Sequence, residues 1–311
     1  MIILSASDVG RLLPMREAID VAAHALAAIA QDEGTYPPRM HVTLARGDAL
    51  VMPGYDGGSY LGVKIATIHP GNLVQGKPGT RATYVLVDAE DGEPRLVCDG
   101  SALTALRTGA ASGLATRRLA RTDAVTLAIF GAGSQANAQV DAMFAVRPID
   151  AVRVVTRNIE HAERFVALLR DRHPQARIER SDRIAALAGA DIVVTATNSY
   201  EPVFEASHVD PGSHVNAIGS FRPDMCEVDP ALFLRARVFV EQRGSALAEA
   251  GEIIEAIARK YIVADDITEI GAVGEHARTS VEEITVFKTV GHAALDLFTA
   301  VELLRRASAS G

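Results

Sequence analysis

The stretch AVTLAIFGAGSQA, Ala124 to Ala136, decides the reading of the fold. A strand-like run, Val125 to Phe130, breaks at Gly131-Ala132-Gly133 and passes straight into a helix-like pattern, SQANAQVDAMFAV. Strand, glycine turn and helix in immediate succession give a G-x-G-x-x-A pattern the context of a dinucleotide-binding turn. Gly131 permits the tight turn, and Gly133 has no side chain to keep a diphosphate off the backbone. Ala136 is small enough for the new helix to lie against the sheet. The helix N-terminus then offers unpaired N–H groups and the positive end of its dipole. By itself the match is a weak signal, and its weight depends on the rest of the chain.

Downstream of Ala136 the chain alternates between strand and helix patterns. VRVVTR (152–157), ARIER (176–180), DIVVTAT (191–197), SHVNAIG (213–219) and RVFVEQ (237–242) read as five further strands. IEHAERFVALLRDRH and RIAALAGA read as helices between them. Six parallel strands with intervening helices fit a doubly wound nucleotide-binding domain. Its second strand ends in Thr156-Arg157-Asn158, where the NAD version of the fold carries an acid for the adenine ribose. A carboxylate there would repel a 2′-phosphate, whereas a guanidinium can hold it through a planar fork of donors. The expected cofactor is therefore NADP(H) in preference to NAD(H), the alternative being that Arg157 is merely a surface residue after a strand. The expected cofactor-binding set is Gly131, Ala132, Gly133, Ser134, Gln135, Thr156, Arg157 and Asn158, with Thr195, Ala196, Thr197, Gly219 and Thr289.

Upstream, Ile2 to Leu4 reads as a strand, Ser5 or Ser7 as a cap, and MREAIDVAAHALAAIAQ as a helix entered through Pro14. His24 on that helix reads as structural or solvated. Residues 35–99 change character: HVTLA, DALVMPGY, SYLGVKIATI, RATYVLVDA and PRLVCD are separated by tight-turn signals, which suggests an antiparallel sheet. Lys64 sits among apolar neighbours in GVKIATI, a setting equally compatible with a lysine that points to solvent from an alternating strand. Residues 100–123 read as an alanine-rich helix capped by Ser101. Arg107 is its one charge before Arg117, and it either sits exposed on a linker helix or, if packed, needs an anionic partner. The stretch from Gly251 to Gly311 reads as mostly helical, with SVEEITVFKTVGHAALDLFTAVELLRRA interrupted at Gly291.

Composition narrows the classes. A 311-residue chain with 48% hydrophobic and 23% charged residues is an ordinary globular protein, long enough for two domains. A net charge of −8 gives no support for nucleic-acid binding or for an anionic membrane surface. Cys98 and Cys226 stand too far apart in sequence to suggest a disulfide framework or zinc knuckle, and the scattered histidines suggest no metal. With no signal-peptide pattern and no long apolar run, a cytoplasmic protein is expected.

Taken together, the chain resembles the ornithine cyclodeaminase/mu-crystallin family over nearly its full length. The residues that carry the resemblance are Pro38-Arg39, Gly62-Val63-Lys64, LRTGAAS (106–112), GAGSQA (131–136), NAIGS (216–220) with Pro223 and Glu227, and the terminal EEITVFKTVG. The resemblance implies an α/β fold: a Rossmann-type doubly wound parallel sheet (119–284) inserted into a smaller α+β substrate-binding and dimerisation domain (1–118 with 285–311). It implies a homodimer acting on a small imino or amino acid. Arg39, Lys64 and Arg107 match the family's carboxylate-binding set, with Lys64 also the catalytic candidate beside the reacting carbon. One departure matters. Cyclodeaminases carry an aspartate after the glycine that ends the fifth strand, and Phe221 stands there in this chain, with Asp224 three residues on. The pattern is closer to the ketimine-reductase branch, which implies NADPH-dependent reduction of a cyclic imino acid such as pyrroline-2-carboxylate or piperideine-2-carboxylate. Ornithine cyclodeamination, amino-acid dehydrogenation and non-catalytic NADPH binding are the alternatives.

Overall fold

A computed structural model describes residues 1–309. The chain begins with β1 (Ile2–Leu4), α1 (Ala6–Leu12) and α2 (Met15–Ala30). Ser5 caps α1 in a capping box with Asp8, and Pro14 precedes α2 as its sequence requires. Five strands follow: β2 (Met40–Leu44), β3 (Gly47–Tyr55), β4 (Tyr60–Ile68), then, after the short α3 (Gly71–Val74), β5 (Thr80–Asp88) and β6 (Pro94–Asp99). Helix α4 (Gly100–Leu119) leads to β7 (Thr126–Phe130), α5 (Ala136–Val146), β8 (Ala151–Val155), α6 (Ile159–Arg172), β9 (Arg177–Arg180) and α7 (Arg183–Leu187). Then come β10 (Ile192–Thr195), β11 (His214–Ala217), β12 (Ala236–Val240), α8 (Arg243–Glu249) and α9 (Gly251–Ala258). The last elements are β13 (Ile267–Glu269), β14 (Ile284–Lys288) and α10 (Ala293–Ala309).

Two compact units emerge: Met1–Ala111 with the segment from His292 on, and Ser112–Gly291. The first holds a six-stranded sheet in the order β1-β6-β5-β4-β3-β2, antiparallel except for the parallel β1–β6 pair. One row across this sheet, Met52–Lys64–Tyr84–Cys98–Leu4, is buried throughout. Helix α10 packs on that face and against α2, where Arg306 pairs with Glu17. On the alternate positions Ile3, Leu61 and Ile65 are exposed, as are Met40 and Val42 on β2.

The second unit holds an eight-stranded, wholly parallel sheet in the order β13-β12-β14-β11-β10-β7-β8-β9. Its central strands are buried on both faces, as parallel strands covered by helices are. Strand order reverses at β7, which places the glycine turn at the switch point where open α/β sheets bind ligands.

Three expectations about local structure are corrected. The stretch after Gly251 is not mostly helical: Ile267–Glu269 and Ile284–Lys288 are strands, so the sheet has eight strands, and β14 separates β11 from β12. Being buried on both faces, ITVFK shows no period-2 alternation to reveal it. The 100–123 helix stops at Leu119, where Arg147 donates to the carbonyls of Thr116, Arg117 and Ala120. Nor does Ser101 cap that helix. Asp99 accepts from the Ala102 N–H, while Ser101 Oγ accepts from the Ala82 N–H of β5. The units divide at 111/112 and 291/292, a few residues from the expected 118/119 and 284/285, because a division at the latter would cut β14 out of its sheet. Residues 310 and 311 of the expected terminal segment lie outside the described residues.

Candidate active site

In the first unit the alternation of β4 turns Lys64 inward, and helix α4 turns Arg107 inward. Both are almost fully buried, at 2% and 5% exposed. They meet at a residue with no part in the sequence-derived set. Asp296, in the first turn of α10, accepts from Lys64 Nζ at 2.6 Å through Oδ2 and from Arg107 Nε at 3.0 Å through Oδ1. Burial pushes the Asp296 carboxyl up, but the two cations beside it outweigh that and hold it below the usual carboxylate range. Burial is also the main influence on Lys64. Arg107 and Arg39 add to it against the pull of Asp296, and the ammonium is brought down to about 8.

One carboxylate thus serves two cations, and donors are left over. Lys64 Nζ has three hydrogens and one partner, and Arg107 uses Nε while its Nη1 and Nη2 donate to nothing among the described residues. Arg39, half-buried, is near enough to depress both Lys64 and His292. His292 accepts from the Ala294 N–H through Nδ1, and burial, reinforced by Arg39, holds it near 4, so it is neutral. Tyr84 lies beside Lys64 on β5. Gly62 makes room for its phenol, since a Cβ at residue 62 would lie 1.9 Å from Tyr84 Oη. The three expected substrate-site cations therefore converge, and Asp296 is the residue the sequence reading missed. Its signal was an acid at an apolar position of a helix period, in line with Ala293, Ala300 and Leu303.

In the second unit the glycine turn has the form a diphosphate needs. Gly131 adopts φ 111°, and a Cβ on it would lie 2.4 Å from the Ala196 carbonyl oxygen at the end of β10. A Cβ on Gly133 would meet nothing within 4 Å. The N–H groups of Ala132, Gly133, Ser134 and Gln135 donate to no group among the described residues. Four successive open donors before α5 form a concave anion site, so the residues present fit a dinucleotide diphosphate. Asn158 caps α6 by accepting from His161 N–H, with Thr156 Oγ1 accepting from Asn158 N–H. Arg157 beside them is exposed and unpaired among the described residues.

Other expected cofactor residues are already engaged or enclosed. Thr197 donates through N and Oγ1 to Glu227, whose other oxygen accepts from the N–H groups of Gly219 and Ser220. Glu227 therefore ties the ends of β10 and β11 together, and a Cβ on Gly219 would strike Thr197 and Glu227. Thr195 is fully buried inside its strand, and Thr289 donates to buried Glu241. Ala196 is half-buried beyond β10. Phe221 packs against the core of this unit, and Asp224 is occupied by Arg222.

The model of the ornithine cyclodeaminase/mu-crystallin family matches residues 1–311. The chain belongs to that family. Within it, the Δ1-pyrroline-2-carboxylate reductase of Bacillus cereus (strain ZK / E33L) is 38% identical, covering 100% of this chain and 98% of the relative. Among solved structures, Thermococcus litoralis Δ1-pyrroline-2-carboxylate reductase in complex with NADH and L-proline is 31% identical with a TM-score of 0.94, covering 100% of this chain and 98% of that one. An archaeal alanine dehydrogenase dimer with bound NAD is 32% identical with a TM-score of 0.92, covering 100% and 97%. This family member is an NAD(P)-dependent oxidoreductase acting on C=N/CH–NH groups, on the ketimine-reductase side of the family. No helix among the described residues is long and apolar enough to cross a membrane, and none of their His, Cys, Asp and Glu side chains group to hold a metal ion.

Proposed function

We propose that the protein reduces a cyclic imino acid of the pyrroline-2-carboxylate or piperideine-2-carboxylate type to the cyclic amino acid, with NADPH as the preferred reductant. The observation that carries this reading is the pair of buried cations with open donors: Lys64 and Arg107 keep N–H groups free after Asp296 is satisfied. A planar carboxylate matches the open Nη1/Nη2 fork of Arg107, with Arg39 adding a further positive charge. Reduction of C=N adds hydride to carbon and a proton to nitrogen, and the bound cofactor supplies the hydride. Lys64, charged below about pH 8, is the proton donor to the imine nitrogen and holds the substrate in orientation. Ala132 to Gln135 would hold the diphosphate, and Arg157, at a strand end without a carboxylate, would hold the 2′-phosphate. Phe221 supports reduction over cyclodeamination, because it stands where cyclodeaminases carry an aspartate, and Asp224 beyond it is taken by Arg222. The exposed apolar residues Ile3, Leu61 and Ile65 on one sheet face support a homodimer.

The test is oxidation of NADPH and NADH with each cyclic imine, beside pyruvate plus ammonia and L-ornithine. Turnover on an imine, faster with NADPH, is the expected result. Ammonia-dependent turnover of pyruvate alone, or proline formation from ornithine without net cofactor use, would replace the reading with one of the other family activities.

A further inference from the structure

We propose that Asp296 is the positioning residue of the carboxylate site: its two oxygens fix Lys64 and Arg107 side by side and cancel one of their two charges, so the pair meets one ligand carboxylate with one net positive charge. This rests on the proposed imino-acid reading only for the identity of the ligand. The geometry is particular to a shared partner. Asp296 faces Lys64 with one oxygen and Arg107 with the other, and both ion pairs have side chains no more than 6% exposed. The bond to Arg107 is made at Nε, the nitrogen that leaves the bidentate Nη1/Nη2 edge open. A bond at the fork would have closed that edge to a ligand. Position within α10 matters too, because a carboxylate in a helix's first turn is favoured by the helix dipole, which helps hold the anion in its charged form.

The charged and titratable groups facing Lys64 are Asp296 from α10, Arg107 from α4, Arg39 from the segment before β2, His292 from the segment before α10, Tyr84 from β5 and Cys98 from β6. Burial holds His292 near 4, raises Cys98 to about 12 and carries Tyr84 well above 10. Guanidinium groups stay charged in proteins. Between pH 6 and 9 the group in this cluster that changes charge is therefore Lys64, and Asp296 is the anion that favours its protonated form.

Asp296→Asn is the decisive variant. The imino-acid KM is expected to rise about tenfold or more, and the alkaline fall of kcat/KM to move down by about one pH unit or more, because the remaining cations then favour the neutral amine. The affinity for NADPH, followed by cofactor fluorescence, is expected to stay within about twofold of wild type. A lowered melting temperature with an unmoved pH profile and KM would overturn the proposal, since that is what a merely structural ion pair gives. Should Asp296→Asn fail to fold, Asp296→Glu keeps the charge and moves it by one methylene. Its alkaline limb is expected near the wild-type position with KM raised about threefold or more, and an unchanged KM would overturn the proposal. Calorimetric binding of L-proline to wild type and variant separates this question from the reaction. If the wild type reduces no cyclic imine, the reaction reading fails, and about tenfold weaker L-proline binding by Asp296→Asn still supports the positioning role. Equal L-proline binding by the two proteins overturns it.

Discussion

The molecule buries two lysines beside carboxylates, and the two sites are opposites. In the first unit Lys64 and Arg107 share one acid, and several of their donors have nothing to bond. In the second, Lys288 donates to the Ser220 carbonyl and hydroxyl at 2.5 Å each and pairs with Glu252 at 3.3 Å. Ser220 in turn donates to Glu252, and Glu227 nearby collects four donors of its own. Burial raises the Glu227 carboxyl above its usual range, with Glu252 adding to that against Lys288. Burial is alike at the two lysines. What separates them is how much of the hydrogen-bonding capacity is used: the Lys288 cluster spends its donors on loop ends, and the Lys64 cluster keeps donors open, as the proposed function requires.

Substitution of each lysine should separate the two roles. Lys64→Met should lower kcat/KM for imine reduction by about a thousandfold, the range expected for losing a proton donor together with its orienting charge, and the urea midpoint should change far less. Stability loss without loss of turnover would break the comparison. Lys288→Met should do the reverse, costing about 3–5 kcal/mol in equilibrium unfolding because it leaves Glu252 buried without its cation. A stable Lys288→Met protein with abolished turnover would move Lys288 into the reaction machinery. The smallest effect tests the same contrast between two arginines. Arg147 is buried and donates to four carbonyls around the end of α4 and to that of Val146, whereas Arg157 is exposed and unpaired among the described residues. Arg157→Ala should weaken NADPH about tenfold, about 1.4 kcal/mol, with NADH binding and melting temperature unchanged. Equal weakening of both cofactors would remove the 2′-phosphate contact.

The nucleotide-type unit was legible because its signals are local. Gly131, Gly133 and Ala136 fall within six residues, and β7, β8, β10 and β12 each carry a short apolar run. The antiparallel sheet was legible for the same reason, since tight turns separate its strands. Strand β14 was not, because five residues buried on both faces carry no alternation, and Gly291 made the longer stretch resemble an interrupted helix. Arg39, Lys64 and Arg107 were found through the family pattern, and the sequence left the inward direction of Lys64 open. Asp296 was missed because its meaning is tertiary: an acid between Leu295 and Leu297 looks like one polar residue on an amphipathic helix until the sheet beneath it is known to present two cations.

The position of β14 also bears on biosynthesis. Strands β11 and β12 emerge from the ribosome well before the strand that belongs between them, so each must wait with an unpaired edge until Ile284–Lys288 has been made. Asp296 follows later still, 232 residues after Lys64 and 189 after Arg107. The eight-stranded sheet and the ion pairs on the six-stranded one therefore wait for segments made long after their partners, a high-contact-order arrangement that slows folding and lengthens the time during which a partly synthesised chain is vulnerable to aggregation. The nascent protein holds two buried-type cations without their anion until Asp296 has been made.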